Sequence, residues 1–515
     1  MQVIEQYQRF ELTKTYTESK NPFSDVELFG YFSNGKTTKK VRGFYDGDGL
    51  FKLRFMPTEL GIWNYYTQSN ISELANLTGS FECSQPNQEN HGMVVTKNKT
   101  YFQYSDGTDF APFGTTLYGW HLQSDERQNL TLESLKENKF NKVRMTVFPI
   151  WNYMFQTEYT SYPYKVIKRE KIDKKSSSEH PDNYTVELDH QIFNPAYFQH
   201  LENCIDELTA LNIQVDLILF HPYNDTPRGL CSMTQQEDFK YIEYLVARLA
   251  SYKNIWWSMA NEYDLADMTG QKKLADWDDL AEKVYLEDPN RHLLSIHNFY
   301  DPPIHKGTTK NWYDHTKPWI THLSVQTDNL FFVDQWKQEY RKPVVIDECR
   351  YEGNTQYGWG DLTPQHMTDS FWKIVARGGY VTHGESYVDG EVPHAPVWSF
   401  HGAKLVGQSY LRMNYLHDIF QNNHLGHLNA IATTGPHWEL YGGATDDFNK
   451  VLIYFGDSQP GFEIFDFLPA DKEYSAQLID TWNMTSTVFP INLNSKKFFK
   501  MPNDQQYIAL LLIAK

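Results

Sequence analysis

Nowhere in the 515-residue chain do about 18 apolar residues run together, so no membrane-spanning helix is expected. The opening stretch MQVIEQYQRFELTKTY has no apolar core and no small-residue cleavage pattern, which speaks against a signal peptide. Cysteine is scarce as well. Cys83, Cys204, Cys231 and Cys349 stand apart without C-x-x-C spacing, which argues against a zinc site or a disulfide framework and fits a reducing, cytoplasmic setting. Basic residues are outnumbered, 47 Lys and Arg against 65 Asp and Glu. The resulting net charge of −18 excludes nucleic acid or an anionic membrane as the natural partner. There is no long internal repeat and no low-complexity linker, so several domains would have to pack directly on one another.

What is plentiful is aromatic. The chain carries 14 Trp, 34 Tyr and 32 Phe, enough both for cores and for stacking on the flat faces of a ligand. Residues 1–90 read as β-structure. Phe51, Leu53 and Phe55 alternate, Pro57 and Gly61 break the run, and Trp63 and Tyr65 alternate again, as in a β-sandwich. Asp46-Gly47-Asp48-Gly49 has the look of a calcium loop, but its twelfth position is Pro57 instead of glutamate, so a hairpin turn is expected.

From 93 to 423 the rhythm changes. Apolar runs of strand length at 110–117, 143–149, 213–220, 255–260, 292–296, 320–325, 344–346 and 380–382 alternate with helical patterns such as Phe198, Leu201, Ile205 and Leu208. Eight strand–helix units predict an α/β fold, a (β/α)8 TIM barrel, because a doubly wound open sheet rarely needs eight. The stretch 153–194 is too polar for a core helix and reads as an insertion after strand two, either a loop or a wall of the site. After 424 short strands return and predict a second β-sandwich to residue 515.

In such a barrel the active site lies where strands end. Strand four, Ile255-Trp256-Trp257-Ser258-Met259-Ala260, runs straight into Asn261-Glu262, and Pro343-Val344-Val345-Ile346 of strand seven runs into Asp347-Glu348. A carboxylate at the lip of an apolar strand is costly unless it is used or paired. Glycoside cleavage needs two: one protonates the leaving oxygen, the other attacks the anomeric carbon or activates water. Strands four and seven face each other across the mouth, which suits the separation of about 5–5.5 Å of retaining enzymes.

Asn261-Glu262 and Glu348 in these positions resemble the pattern of glycoside hydrolase clan A, and the barrel is most similar to its apiosidase-like and cellulase-like branches. The flanking sandwiches, including Asp480-Thr481-Trp482-Asn483 in the tail, resemble the companion domains of such barrels. The resemblance implies a retaining mechanism with Glu262 as acid/base and Glu348 as nucleophile, and it implies that Asn261 holds the sugar 2-hydroxyl. It also implies that Arg144, inside strand two, bonds Glu348 and keeps it ionised. Where relatives carry a tyrosine at the end of strand six this chain has Gln326, and Tyr118, Tyr351 or Tyr387 could supply the hydroxyl. Trp398 corresponds to the tryptophan that relatives place under the sugar ring.

His221 and His297 end strands three and five, where each could bond a sugar hydroxyl or orient a glutamate. Trp120 and Trp151 are candidate subsite walls, and Glu385 is a third carboxylate at the mouth. The expected partner is therefore a carbohydrate, a short β-linked or α-L glycoside, with no cofactor or metal; assembly into a homo-oligomer stays open. Two rival readings exist. A metal-dependent hydrolase could use His221, His297, His322 and His383, but strand one lacks a His-x-His start and no H-E-x-x-H is present. A non-catalytic carbohydrate-binding protein would have no reason to hold two carboxylates face to face.

Overall fold

The computed structural model describes residues 1–515 except 98, 150–158, 172–183, 222–232, 265–271, 301–311, 357, 389–397, 432–439, 496 and 502–504. Its centre is a parallel sheet rolled into a barrel. In order around the ring the strands are Phe113–Thr116 (strand one), Lys142–Thr146 (two), Gln214–Phe220 (three), Ile255–Ala260 (four), Leu294–Ser295 continued by His297–Phe299 (five), Leu323–Gln326 (six), Val344–Glu348 (seven) and Tyr380–His383 (eight). Strand five breaks at Ile296. Its first piece pairs with strand four and its second with strand six, while strand eight returns to strand one. Every residue of strands one to four and six to eight is buried, which is why these segments read as nearly continuous apolar runs.

The helices begin and end as their sequences dictate. Thr363 accepts a hydrogen bond from the His366 amide, and Pro364 takes the first helical position of Pro364–Ala376. The chain then turns back through Gly378 at φ +75°, where a Cβ would lie 2.0 Å from the Leu428 carbonyl oxygen; no other residue fits there.

Residues 2–84 form a five-stranded sheet packed on a three-stranded one, around Phe10, Phe32, Phe55, Trp63 and Phe81. The Asp46 loop is the hairpin turn expected of it, closed by Asp46 N–H to Leu50 O (2.8 Å) and Leu50 N–H to Gly47 O (2.8 Å). Its carboxylate points at the barrel and accepts from Arg248 at 2.7 Å. Arg54 of the N-terminal domain and Arg248 of the barrel share Glu202 at 2.8 and 2.7 Å, a buried ion cluster that fastens the two together.

At the other end a six-stranded antiparallel sheet closes on its own core of Val451, Ile453, Leu510 and Leu512. Trp482 of the tail lies 4.0 Å under the guanidinium of Arg412, on the last barrel helix, Ser409–Asn422. Part of the 153–194 insertion is an antiparallel ribbon, Tyr164–Lys171 with Tyr184–Phe193, rather than an irregular loop. Phe193 anchors it by stacking on Tyr164 and on Tyr244 of a barrel helix. The basic, serine-rich centre and Trp151 lie outside the described residues. Cys83, Cys204 and Cys349 are buried free thiols, and Cys231 lies outside the described residues. No helix among the described residues is long and apolar enough to cross a membrane.

Candidate active site

Strand two alternates inward Lys142 and Arg144 with outward Val143 and Met145. Register places Arg144 beside Asp216 of strand three, and Asp347 of strand seven reaches the same centre. Lys142 Nζ lies 2.5 Å from Asp347 and 3.0 Å from Asp216, and Arg144 Nη1 is 2.9 Å from Asp216. Ser324 and Thr382 donate to the remaining lone pairs of Asp347 at 2.5 and 2.8 Å. Burial alone would raise the Asp347 pKa, but Lys142 and Arg144 more than reverse this and hold it far below the carboxylate range. Two cations and two anions thus compensate one another below the mouth.

Above that layer stand the two predicted glutamates. Strands six and seven slip register at the end: Val325 faces Ile346, but Gln326 faces Glu348. This irregularity lets the successive residues Asp347 and Glu348 both face the interior, as a bulge does when it re-aims a side chain. Tyr118, just past strand one, donates to Glu348 Oε1 at 2.6 Å. Burial pushes the Glu348 pKa up, while Tyr118, Tyr351, the Arg144 charge and Trp359 pull against it. Of the three candidate tyrosines it is therefore Tyr118 that makes the bond, with Tyr351 beside it. Tyr387 bonds Glu352 instead, at 2.7 Å.

Glu262 follows strand four in the left-handed region, at φ +45°. A non-glycine residue there carries roughly 1 kcal/mol or more of strain, and such strain gathers at functional sites. Asn261 Nδ2 donates to Glu262 Oε2 at 3.2 Å, and Asn261 Oδ1 accepts from Arg144 at 3.0 Å. The expected bond between Arg144 and Glu348 is not what forms. Its two terminal nitrogens are taken by Asp216, Ser258, Asn261 and His297, and it reaches Glu348 only through its field. The reason is register: strand three brings Asp216 alongside Arg144, whereas Glu348 lies one layer higher.

His297 Nδ1 lies 2.6 Å from Arg144 Nη2 and 2.8 Å from Asn261 Oδ1; accepting from the guanidinium, it leaves Asn261 Oδ1 to be held by Arg144. Burial and the Arg144 charge hold it well below the usual histidine pKa. His221 is depressed to about 3 for the same reasons. Both are neutral rings. Gln326 is buried opposite Glu348, and its side-chain oxygen has no hydrogen-bond partner among the described residues, which leaves an acceptor available at the site.

Three further candidates lie differently from expectation. Trp398 is fully enclosed in the main core and Trp120 is 1% exposed, so neither presents an open ring face. Glu385 is equally buried and accepts from the amides of Val406 and Gly407 at 3.1 Å each; it is not exposed at the mouth. Lys142, Asp216 and Trp359 are not singled out by the sequence, and Asp347 is noted there only as the neighbour of Glu348. For Asp216 a signal existed, a lone charge inside an apolar strand, and Lys142 and Asp347 are charges in strands next to residues already singled out; Trp359 comes from a loop and had none.

Residues 96–411 match the family described as apiosidase-like, catalytic domain. Residues 3–70 and 438–513 match two domains of unknown function, DUF5060 and DUF5605. A candidate glycoside hydrolase from Bacteroides vulgatus ATCC 8482 has a crystal structure with 34% identity, full coverage of both chains and a TM-score of 0.88. A family 5 glycoside hydrolase from the same organism shares the fold at 16% identity and TM-score 0.59, over 82% of this chain and 94% of its own. A further structure described as a glycoside hydrolase does so with the same identity and TM-score, over 82% and 97%. No curated protein matches in sequence. The chain is a glycoside hydrolase, and it belongs to the family of apiosidase-like catalytic domains.

Proposed function

We propose that the protein hydrolyses a short β-linked or α-L glycoside with retention, Glu348 acting as nucleophile and Glu262 as acid/base. The observation that carries this reading is the separate support of two glutamates at the ends of strands four and seven. Glu348 is held by the Tyr118 hydroxyl, and Glu262 is held by Asn261, itself fixed by Arg144. A binding protein would need neither arrangement.

In the first step Glu348 attacks the anomeric carbon while Glu262 gives its proton to the leaving oxygen. The bond from Tyr118 stabilises the carboxylate before attack. In the second step Glu262, now a base, takes a proton from water, which displaces the sugar from Glu348. Neutral His221 and His297 and the free acceptor of Gln326 can bind sugar hydroxyls without adding charge. A retaining site requires carboxyls about 5–5.5 Å apart.

The test is a panel of aryl glycosides, furanosides and apiosides included, followed by NMR of the first-formed anomer. Retention, near-complete loss of turnover in Glu348→Ala, and its recovery with azide are expected. Inversion, or near-native turnover of Glu348→Ala, would sink the assignment.

A further inference from the structure

Four residues beyond the nucleophile, a second constellation has no part in the chemistry above. Glu352–Gly353 pairs in parallel with Glu385–Ser386, so that Glu352 and Glu385 are register partners. Both are fully buried, as is His383, and one ligand-type atom from each of the three lies within 4.8 Å of the others. Like charges so placed repel, and burial magnifies the cost. Yet no lysine or arginine among the described residues forms an ion pair with either carboxylate.

Backbone amides and a hydroxyl donate to both carboxylates. Glu352 accepts from the amides of Gln408 and Ser409 at 2.8 Å each and from the Tyr387 hydroxyl at 2.7 Å. Glu385 Oε2 takes the amides of Val406 and Gly407. A Cβ on Gly407 would stand 2.5 Å from Glu352 Oε1, so the backbone approaches as closely as it can. Glu352 has donors on both oxygens, whereas Glu385 has them on Oε2 alone.

Two atoms remain unused. Glu385 Oε1 and His383 Nε2 have no hydrogen-bond partner among the described residues, and they stand 3.6 Å apart. That is too long for a hydrogen bond. It is close to the edge of a tetrahedron around zinc, roughly 3.4 Å for bonds of about 2.1 Å. The other ring nitrogen of His383, Nδ1, lies 3.1 Å from Thr115 Oγ1. With the ring proton directed there, the lone pair of Nε2 is left for a ligand, the outer-sphere arrangement usual for metal-binding histidines.

We propose that Glu352, His383 and Glu385 bind one divalent cation of the zinc class, with water as the fourth ligand. One imidazole nitrogen and two carboxylate oxygens favour zinc over calcium or magnesium, which take oxygen alone. The cation neutralises the buried anion pair and ties the loop after strand seven to strand eight and to the start of the helix Ser409–Asn422. Its role is structural. The same loop carries Tyr351 and Trp359 towards Glu348, so the tie steadies one wall of the site.

The experiment uses the full-length protein, stripped with a chelator and titrated with zinc chloride in a calorimeter, with metal content read by mass spectrometry. One equivalent should bind with micromolar or tighter affinity and raise the melting temperature. Glu385→Gln keeps the shape and the contacts to Val406 and Gly407 but should bind at least about 100-fold more weakly. His383→Asn serves if that variant fails to fold. Absence of saturable zinc binding by the wild type overturns the proposal, as does unchanged one-equivalent binding in a folded variant.

Discussion

The hydroxyl of Tyr118 donates to Glu348 Oε1 at 2.6 Å, linking the end of strand one to the end of strand seven. Tyrosine at strand six does this work in the clan pattern; here Gln326 stands in that place and the hydroxyl arrives from another strand. The bond favours the ionised form of the carboxyl and opposes the upward pull of burial on its pKa.

Tyr118→Phe should therefore move the acid limb of the kcat/KM profile to higher pH. A hydrogen bond to a charged group is worth about 1.5–3 kcal/mol, which corresponds to a shift of about 1–2 pH units. The sign follows from the direction of the pull: removing a donor raises the Glu348 pKa, so the active anion forms only at higher pH. A profile with an unmoved acid limb would show that another residue titrates there.

Arg144 should behave as a structural charge and an orienter together. Arg144→Ala leaves Lys142 alone against Asp216 and Asp347, and breaking such a buried cluster costs about 3–5 kcal/mol. Arg144→Lys keeps the charge, but one ammonium cannot copy the planar fork that serves Asp216 and Asn261 at once. The lysine variant should recover most of the stability in urea titrations while kcat stays low. Equal recovery of both would show that Asn261 does not depend on the arginine fork.

How much of this could be read in the sequence depended on range. The eight strands were legible because a strand buried on both faces is a continuous apolar run, and Glu262 and Glu348 because each is the polar residue that ends one. The partner of Arg144 was not, since only the register between strands two and three sets Asp216 beside it. The choice among Tyr118, Tyr351 and Tyr387 depended on how the chain leaves strands one, seven and eight. The inward turn of two successive residues, Asp347 and Glu348, came from a register slip that no period-two pattern announces. Trp398 is alike in sequence whether it floors a sugar or fills a core.

For Trp398 the enclosed position predicts a stability effect. Trp398→Ala should destabilise by about 3–5 kcal/mol. Trp398→Phe, with a smaller void, should lower the melting temperature while KM stays within about twofold. A large rise in KM with an unchanged melting temperature would mean that the ring meets the substrate after all.

The last prediction concerns acid. Asp288, after the helix Leu274–Glu287, accepts from Trp257 Nε1 at 3.0 Å, from the His292 amide and Nδ1 at 2.8 Å each, and from the Asn290 amide at 2.9 Å. Burial alone would raise its pKa, but the His292 charge and these donors overcome that and lower it to about 2. The unfolded value is about 3.9, so the folded group is the stronger acid. Its contribution, about 2–3 kcal/mol, is complete above the unfolded pKa and disappears as pH falls through the folded one. Asp288→Asn should then cost that amount in urea unfolding at pH 6 and about half of it at pH 3. A difference between wild type and variant that stays constant over this range would show that the carboxylate charge contributes nothing to holding the strand-four to strand-five turn.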